Sequence, residues 1–255
     1  MVSGLVSGRL ALVTGAGSGI GRAACQVLSR EGATVIAADK NYDAAMETIK
    51  THTALASGAN VIGDHSAAEL DVSDSSSVQK LLQTIKSQYN ATPTIVVNSA
   101  GITRDNWLLK LSEEDYDSVA NVNLKGTFLI MQTFGKAMAD AKTPGSIVNI
   151  SSIVGKYGNI GQSNYAASKA GVVAMTQTAA KELGKLNIRV NAILPGFVNT
   201  PIISTVPDKV KEQMLKLVPL QRLGEPNEIA EVITFLSSDK SSFVTGAAID
   251  VTGGF

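Results

Sequence analysis

Residues 13–23 read VTGAGSGIGRA, and the spacing of their glycines decides the fold. The stretch follows an apolar run, LALVT (10–14), and leads into a helix-length segment. A G-x-G-x-x-G pattern does not fit: counted from Gly15 its last glycine falls on Ile20, and counted from Gly17 it falls on Arg22. G-x-x-x-G-x-G does fit, with Gly15, Gly19 and Gly21. The physical need is the same for both patterns: a tight turn, backbone able to approach a pyrophosphate, and amide N–H groups at a helix N-terminus facing anionic oxygens. Glycines also make plain turns, so it is the position between a first strand and a first helix that makes this loop a candidate dinucleotide site.

The next apolar run, TVIAAD (34–39), ends in Asp39, 18 residues beyond Gly21. A carboxylate there is expected to accept hydrogen bonds from an adenosine ribose and to repel the extra 2′-phosphate of NADP, which favours NAD. Lys40 is adjacent and would soften that repulsion, but no arginine stands in the glycine loop before Gly19. The plain alternative is an ordinary acid at a strand end.

Beyond this unit the alternation continues. Further candidate strands are AAELDV (67–72), TIVVNS (94–99), SIVNIS (146–151), IRVNAIL (188–194) and AAIDV (247–251). Several are nearly continuous Val, Ile, Leu and Ala, as parallel strands covered on both faces should be. Helix-length segments lie between them, among them 75–89 and 226–238, the latter with Pro226 suited to a first turn. The expected fold is α/β: a single-domain Rossmann fold over 1–255, with a doubly wound, seven-stranded parallel sheet and helices on both faces. One region breaks the rhythm. Between Pro195 and Glu225 the chain carries Pro195, Pro201, Pro207 and Pro219 around a short amphipathic piece, DKVKEQMLKL (208–217). A long excursion with this apolar content is expected to be a substrate lid.

Hydrophobic residues make up 44% of the 255 and charged residues 17%, which suits a buried core rather than disorder. Lys+Arg and Asp+Glu both total 22, so nothing is basic enough for a nucleic-acid surface or a polybasic membrane face. No apolar run reaches the ~20 residues of a membrane span. Cys25 is the single cysteine, so no internal disulfide can form and a reducing compartment is the simplest inference. The opening residues run almost at once into a strand, and Arg9 is their only basic residue, so neither a signal peptide nor an Arg-rich presequence is visible.

NYAASK (164–169) places one phenol and one ammonium four positions apart. On a helix these share a face, and a cation beside a phenol favours the phenolate. An exposed pair with no role is the alternative.

In order and spacing, TGAGSGIG (14–21), NSAG (98–101), NLKG (123–126), SSIVG (151–155), YAASK (165–169) and Pro195-Gly196 resemble the short-chain dehydrogenase/reductase family, over essentially the whole chain. GNIGQSNYAASKAGV (158–172), LPGFVNTP (194–201) and VTGG (251–254) look most like the 3-oxoacyl-(acyl-carrier-protein) reductases and the eukaryotic 17-beta-hydroxysteroid dehydrogenases of type 8. The resemblance implies Asn123, Ser152, Tyr165 and Lys169 as catalytic residues. Tyr165 would move the proton that matches a hydride transfer, with Lys169 and an oxidised nicotinamide lowering its pKa. Ser152, preferred by spacing over Ser151, would hold the substrate oxygen. Lys169 would also bind the nicotinamide ribose, Asn123 would hold a water leading to solvent, and the small Ala166, Ala167 and Ser168 would let the cofactor come close.

The resemblance further implies cofactor contacts from Gly15, Ser18, Gly19, Ile20 and Gly21. Asp71 and Val72 would meet the adenine; Asn98, Ala100 and Gly101 would lie beside the ribose; Val198 and Thr200 would meet the carboxamide and phosphate. Asn98 is equally read as a brace between strands. No metal site is expected.

The implied reaction is NAD-linked interconversion of (R)-3-hydroxyacyl and 3-oxoacyl thioesters, with a steroid 17-hydroxyl as the rival substrate. Ile202, Ile203, Met214, Leu215 and Leu217 would suit either pocket. Acyl-CoA and acyl-carrier protein are both possible carriers, the latter gripped by Lys142, Lys181 and Lys185. A binding protein that had kept only the fold should have lost Tyr165, Lys169 or Ser152, and all three are present. The family also implies a tetramer, of one chain or mixed with a related reductase, working inside the cell in the mitochondrial matrix or otherwise the cytoplasm.

Overall fold

The computed structural model describes residues 4–55, 64–204 and 208–255. Pro207, within the proposed lid, and Met1–Ser3 of the opening stretch lie outside the described residues.

Among the described residues seven strands form one sheet: β1 (Leu10–Thr14), β2 (Thr34–Asp39), β3 (Ser66–Glu69), β4 (Ile95–Asn98), β5 (Gly145–Ile150), β6 (Ile188–Pro195) and β7 (Ala248–Val251). All pair in parallel, in the order β3-β2-β1-β4-β5-β6-β7. Parallel neighbours require crossovers, and among the described residues ten α-helices lie in the connections. They are α1 (Gly19–Arg30), α2 (Tyr42–Leu55), α3 (Ser75–Tyr89), α4 (Glu113–Val119), α5 (Thr127–Asp140), α6 (Val154–Tyr157), α7 (Ser163–Leu183), α8 (Pro201–Ser204), α9 (Asp208–Lys216) and α10 (Pro226–Ser237).

Strand alternation divides the core in two. Ala11 and Val13 of β1 point to the face covered by α1 and α10, where Leu28, Ile229 and Ile233 are buried. Leu12 points to the other face, where α3 and α5 bury Leu81, Ile85, Ile130 and Phe134. Phe134 is fully buried, and truncation of such a side chain to alanine typically costs about 3–5 kcal/mol.

Helix ends follow local chemistry. Asp74 caps α3 by accepting from the Ser76 amide. Pro226 opens α10 inside a capping box in which the Glu228 carboxylate accepts the Glu225 amide at 2.7 Å. The third strand is shorter than the apolar pattern predicts. It stops at Glu69 rather than Val72, because Asp71 accepts from the Ser73 amide and hydroxyl and so turns the chain.

The sheet order reverses between β1 and β4, so the loops after these two strands lie side by side at the carboxyl edge, where α/β folds hold ligands. The excursion after β6 begins and ends at one place. Val198 and Gly224 form an isolated bridge, and the amides of Asn199 and Gly224 donate to the carbonyls of Gly224 and Phe197.

Candidate active site

The glycine loop is built around close approaches. A Cβ on Gly15 would stand 2.7 Å from the Ala100 amide nitrogen, and its φ of +64° is the left-handed region. Gly19 has φ +52°, and a Cβ there would stand 3.3 Å from a Thr200 methyl. Only glycine leaves these spaces open, and they line a cavity of about 1340 Å³ running along the carboxyl edge. Gly15, Ser18, Gly19, Ile20, Asp39, Asp71, Val72, Ala100, Gly101, Val198 and Thr200 all line it, as do Ser152, Tyr165 and Lys169. The cradle fits an elongated dinucleotide: open amide-bearing turns at one end, a carboxylate at the tip of β2, and hydroxyls at the other end.

Three expected residues stand behind the wall. Gly21 is buried, and a Cβ on it would collide with the Gly15 carbonyl, so it serves close packing of α1 on the loop. Asn98 donates to Asn149 Oδ1 at 2.8 Å, and Asn149 donates on to Thr176 Oγ1 at 2.8 Å, which makes Asn98 a brace between β4 and β5. Asn123 is fully buried in a π-helical segment, Ala120–Gly126. Its side chain accepts from the Ile102 amide at 2.9 Å and donates to the Ile102 carbonyl at 3.0 Å and to Ser168 Oγ at 3.2 Å. These bonds pin the loop after β4 to α7.

Asp39 Oδ2 accepts from the Gly17 amide at 2.9 Å and Oδ1 from the Asn41 amide at 2.9 Å, so the carboxylate is fixed beside the glycine loop. Lys40 turns from it to Asp71, 2.8 Å away. With the hydrogen bonds from Lys40 and Ser73, this ion pair holds the Asp71 carboxyl down at about 2.

At the other end, Ser151 and Ser152 follow directly on β5. Ser151 Oγ donates to the Lys169 carbonyl at 2.7 Å, a helix-docking bond, whereas Ser152 faces the cavity. Lys169 Nζ lies 5.6 Å from the centre of the Tyr165 ring, as spacing along one helix face requires. It donates to the Ile150 carbonyl at 2.8 Å, and burial pushes its pKa down to about 8. Burial also pushes the Tyr165 phenol above its ordinary value, a hydrogen bond with Ser152 opposing and Asp105 adding to the rise. The expectation of a phenol lowered by Lys169 is therefore not met in the chain alone, because burial disfavours the phenolate.

Two other expectations are corrected. Ser168 Oγ donates to the Tyr165 carbonyl at 2.7 Å and faces Asn123, and neither Ala166 nor Ala167 lines the cavity. Ser168 is buried behind the wall, whereas Ala166 is half-buried and Ala167 exposed. Lys142, Lys181 and Lys185 lie just before β5 and β6, at the sheet's amino edge, away from the cavity mouth. Parallel topology separates them from the site, so they cannot grip a carrier there. In the lid, Ile202, Ile203, Met214 and Leu217 line the cavity and Leu215 does not.

Several residues in or behind the wall escaped the sequence. Thr14 Oγ1 accepts from the Ser99 and Ala100 amides at 3.2 and 3.3 Å, joining the two loops. Asp105 accepts from Gln162 at 2.8 Å, and Gln162 in turn accepts from Asn159 at 2.9 Å. Gln162 stands three positions before Tyr165, a spacing that would have placed it near the same helix face.

The family model described as enoyl-(acyl carrier protein) reductase matches residues 15–255. The (3R)-3-hydroxyacyl-CoA dehydrogenase of Canis lupus familiaris is 49% identical over 250 residues, covering 96% of this chain and 95% of the relative. The 3-oxoacyl-[acyl-carrier-protein] reductase FabG of Thermotoga maritima is 46% identical over 249 residues, covering 98% of each. A crystal structure titled as a putative 2-deoxy-D-gluconate 3-dehydrogenase from Agrobacterium tumefaciens with bound NADP superposes with a TM-score of 0.88 at 32% identity, covering 100% of this chain and 98% of the other. With this cavity and these likenesses, the chain belongs to the short-chain dehydrogenase/reductase family of oxidoreductases, which use a nicotinamide cofactor.

Proposed function

We propose that the enzyme interconverts (R)-3-hydroxyacyl and 3-oxoacyl thioesters, with NAD as cofactor and Tyr165 as acid and base. The observation that carries this is the convergence of Ser152, Tyr165 and Lys169 on one wall of a cavity whose far end holds the glycine loop and Asp39. Relatives named for these thioesters, at 46–49% identity across nearly the whole chain, supply the substrate class.

A bound nicotinamide would supply or take up the hydride. Gly15, Ser18, Gly19 and Ile20 would hold its pyrophosphate, and Asp39 its adenosine ribose. Asp71, Val72, Ala100, Gly101, Val198 and Thr200 would flank it, with Asn98 and Asn123 fixing the loops behind. Asp39 favours NAD, since a 2′-phosphate would bring two negative charges together.

Ser152 donates a hydrogen bond to the substrate oxygen, and Tyr165 gives that oxygen a proton during reduction. Its raised pKa keeps the phenol protonated and ready to donate. In oxidation Tyr165 takes the proton back, aided by Lys169. An ammonium has three donors, and Ile150 takes one, so Lys169 has hydrogen bonds left for a ribose. Assembly as a tetramer, alone or with a related reductase, and action in the mitochondrial matrix or cytoplasm belong to the same proposal.

The test compares kcat/KM for acetoacetyl-CoA, an acetoacetyl carrier protein and estradiol, each with NAD(H) and NADP(H). The expected order puts a thioester with NAD(H) first. Preference for estradiol overturns the substrate, and preference for NADP(H) overturns the role of Asp39.

A further inference from the structure

Residues 252–255 form a turn with a defined shape. Gly253 and Gly254 both have positive φ, +71° and +98°, which side chains rarely adopt. The turn is tied down at two points: the Gly254 amide donates to Thr252 Oγ1 at 3.3 Å, and the Leu220 amide donates to the Gly253 carbonyl at 3.2 Å. The second bond joins the turn to the end of the lid excursion. The result aims one side chain, Phe255, at two other rings. Its centroid lies 5.4 Å from Phe197 at 71° and 6.4 Å from Tyr157 at 72°, both edge-to-face. Phe197 lines the cavity, whereas Phe255 and Tyr157 do not. Lys156, next to Tyr157, pairs with Asp250 of β7 at 2.7 Å, so the segments carrying Tyr157 and Phe255 are held together by charge as well.

We infer that Phe255 is a positioning residue for the substrate pocket, propping Phe197 as the wall against which the longer part of an acyl chain packs. An aromatic ring has two rotatable bonds, and edge contact from behind removes the rotamers that would swing Phe197 out of the wall. Ile202, Met214 and Leu217 supply apolar surface from the lid, so the acyl chain would run between two apolar walls. A four-carbon substrate reaches little of this surface, and a longer one uses more of it. Phe255 thereby sets chain-length preference while touching neither substrate nor cofactor. This inference rests on the proposed thioester function.

The test measures kcat/KM for acetoacetyl-CoA and 3-oxooctanoyl-CoA in the wild type, Phe255→Ala, Phe197→Ala, the double variant and Phe255→Tyr, with Tm measured for each. Phe255→Ala is expected to lower the eight-carbon to four-carbon ratio about three- to tenfold, the scale of one aromatic pair, mainly through KM. Phe197→Ala should lower it at least as far, the double variant should go no lower than Phe197→Ala, and Phe255→Tyr should restore the ratio. Should Phe255→Ala not fold, Phe255→Leu keeps the apolar bulk without the ring edge and should show the same fall. An unchanged ratio in folded variants, or losses that simply add in the double variant, overturns the inference. Wild-type enzyme inactive on both thioesters would instead overturn the proposed function.

Discussion

Lys169 stands with its ammonium 5.6 Å from the centre of the Tyr165 ring, yet its hydrogen bond goes to the Ile150 carbonyl at 2.8 Å. The ammonium thus lies over the face of the phenol ring while a carbonyl at the end of β5 holds it in place. Both are desolvated, and both shift toward their neutral forms.

Tyr165→Phe removes the proton donor and leaves the cavity its shape. Turnover should fall by about 10²–10⁴-fold, the usual worth of a positioned acid or base. Fluorescence titration should show NADH bound with little change in Kd. Turnover near the wild-type value would remove Tyr165 from the chemistry.

Burial lowers Lys169 from 10.5 to about 8, so between these values the unfolded chain binds a proton that the folded chain does not. Stability should therefore rise with pH across this window, by about 3 kcal/mol in total for this group. Lys169→Met has no such proton. Urea midpoints of the cofactor-free proteins at pH 7 and pH 10 should show the gain in the wild type relative to the variant. The variant should be the more stable of the two at pH 7, although inactive.

His65 responds to acid. Its Nδ1 accepts from the Val35 amide at 3.0 Å and its Nε2 lies 3.1 Å from Ser29 Oγ, so the ring fits the fold in its neutral form. Burial lowers its pKa below 6.5, with Asp64 opposing. Below pH 6.5 the unfolded chain takes up the proton first, and stability should fall. His65→Leu should flatten this dependence in denaturation at pH 5 and 7. Parallel pH curves for the two proteins would contradict it.

Asp39→Ala should reduce the preference for NAD over NADP by roughly tenfold or more, equivalent to about 1.4 kcal/mol. Because Asp39 also accepts the Gly17 amide, KM for NAD should rise as well. The ratio of kcat/KM values for the two cofactors decides, and an unchanged ratio would mean that selectivity lies elsewhere.

The sequence carried the sheet clearly, because parallel strands are apolar on both faces and leave uninterrupted runs such as LALVT and IVVN. It overran β3, where Asp71 turns the chain with a local hydrogen bond that no periodicity reports. The cavity-facing residues Gly15, Asp39, Ser152 and Tyr165 were legible because motif and element boundary coincide. Supporting residues were harder to read. Asn123 and Ser168 were given roles toward solvent and cofactor, yet their partners are Ile102 and Tyr165, far apart in the chain or across a helix turn. Lys142, Lys181 and Lys185 look like a basic cluster only until topology places them at the amino edge.

The bridge between Val198 and Gly224 means that the excursion after β6 departs from the fold and rejoins it, just before α10, through one doorway. An insert spanning those two residues can accordingly be exchanged for that of another reductase as a cassette, with the strands untouched. On the proposed function, such an exchange is expected to alter substrate range, provided that the donor segment keeps the bond from position 220 to the Gly253 carbonyl.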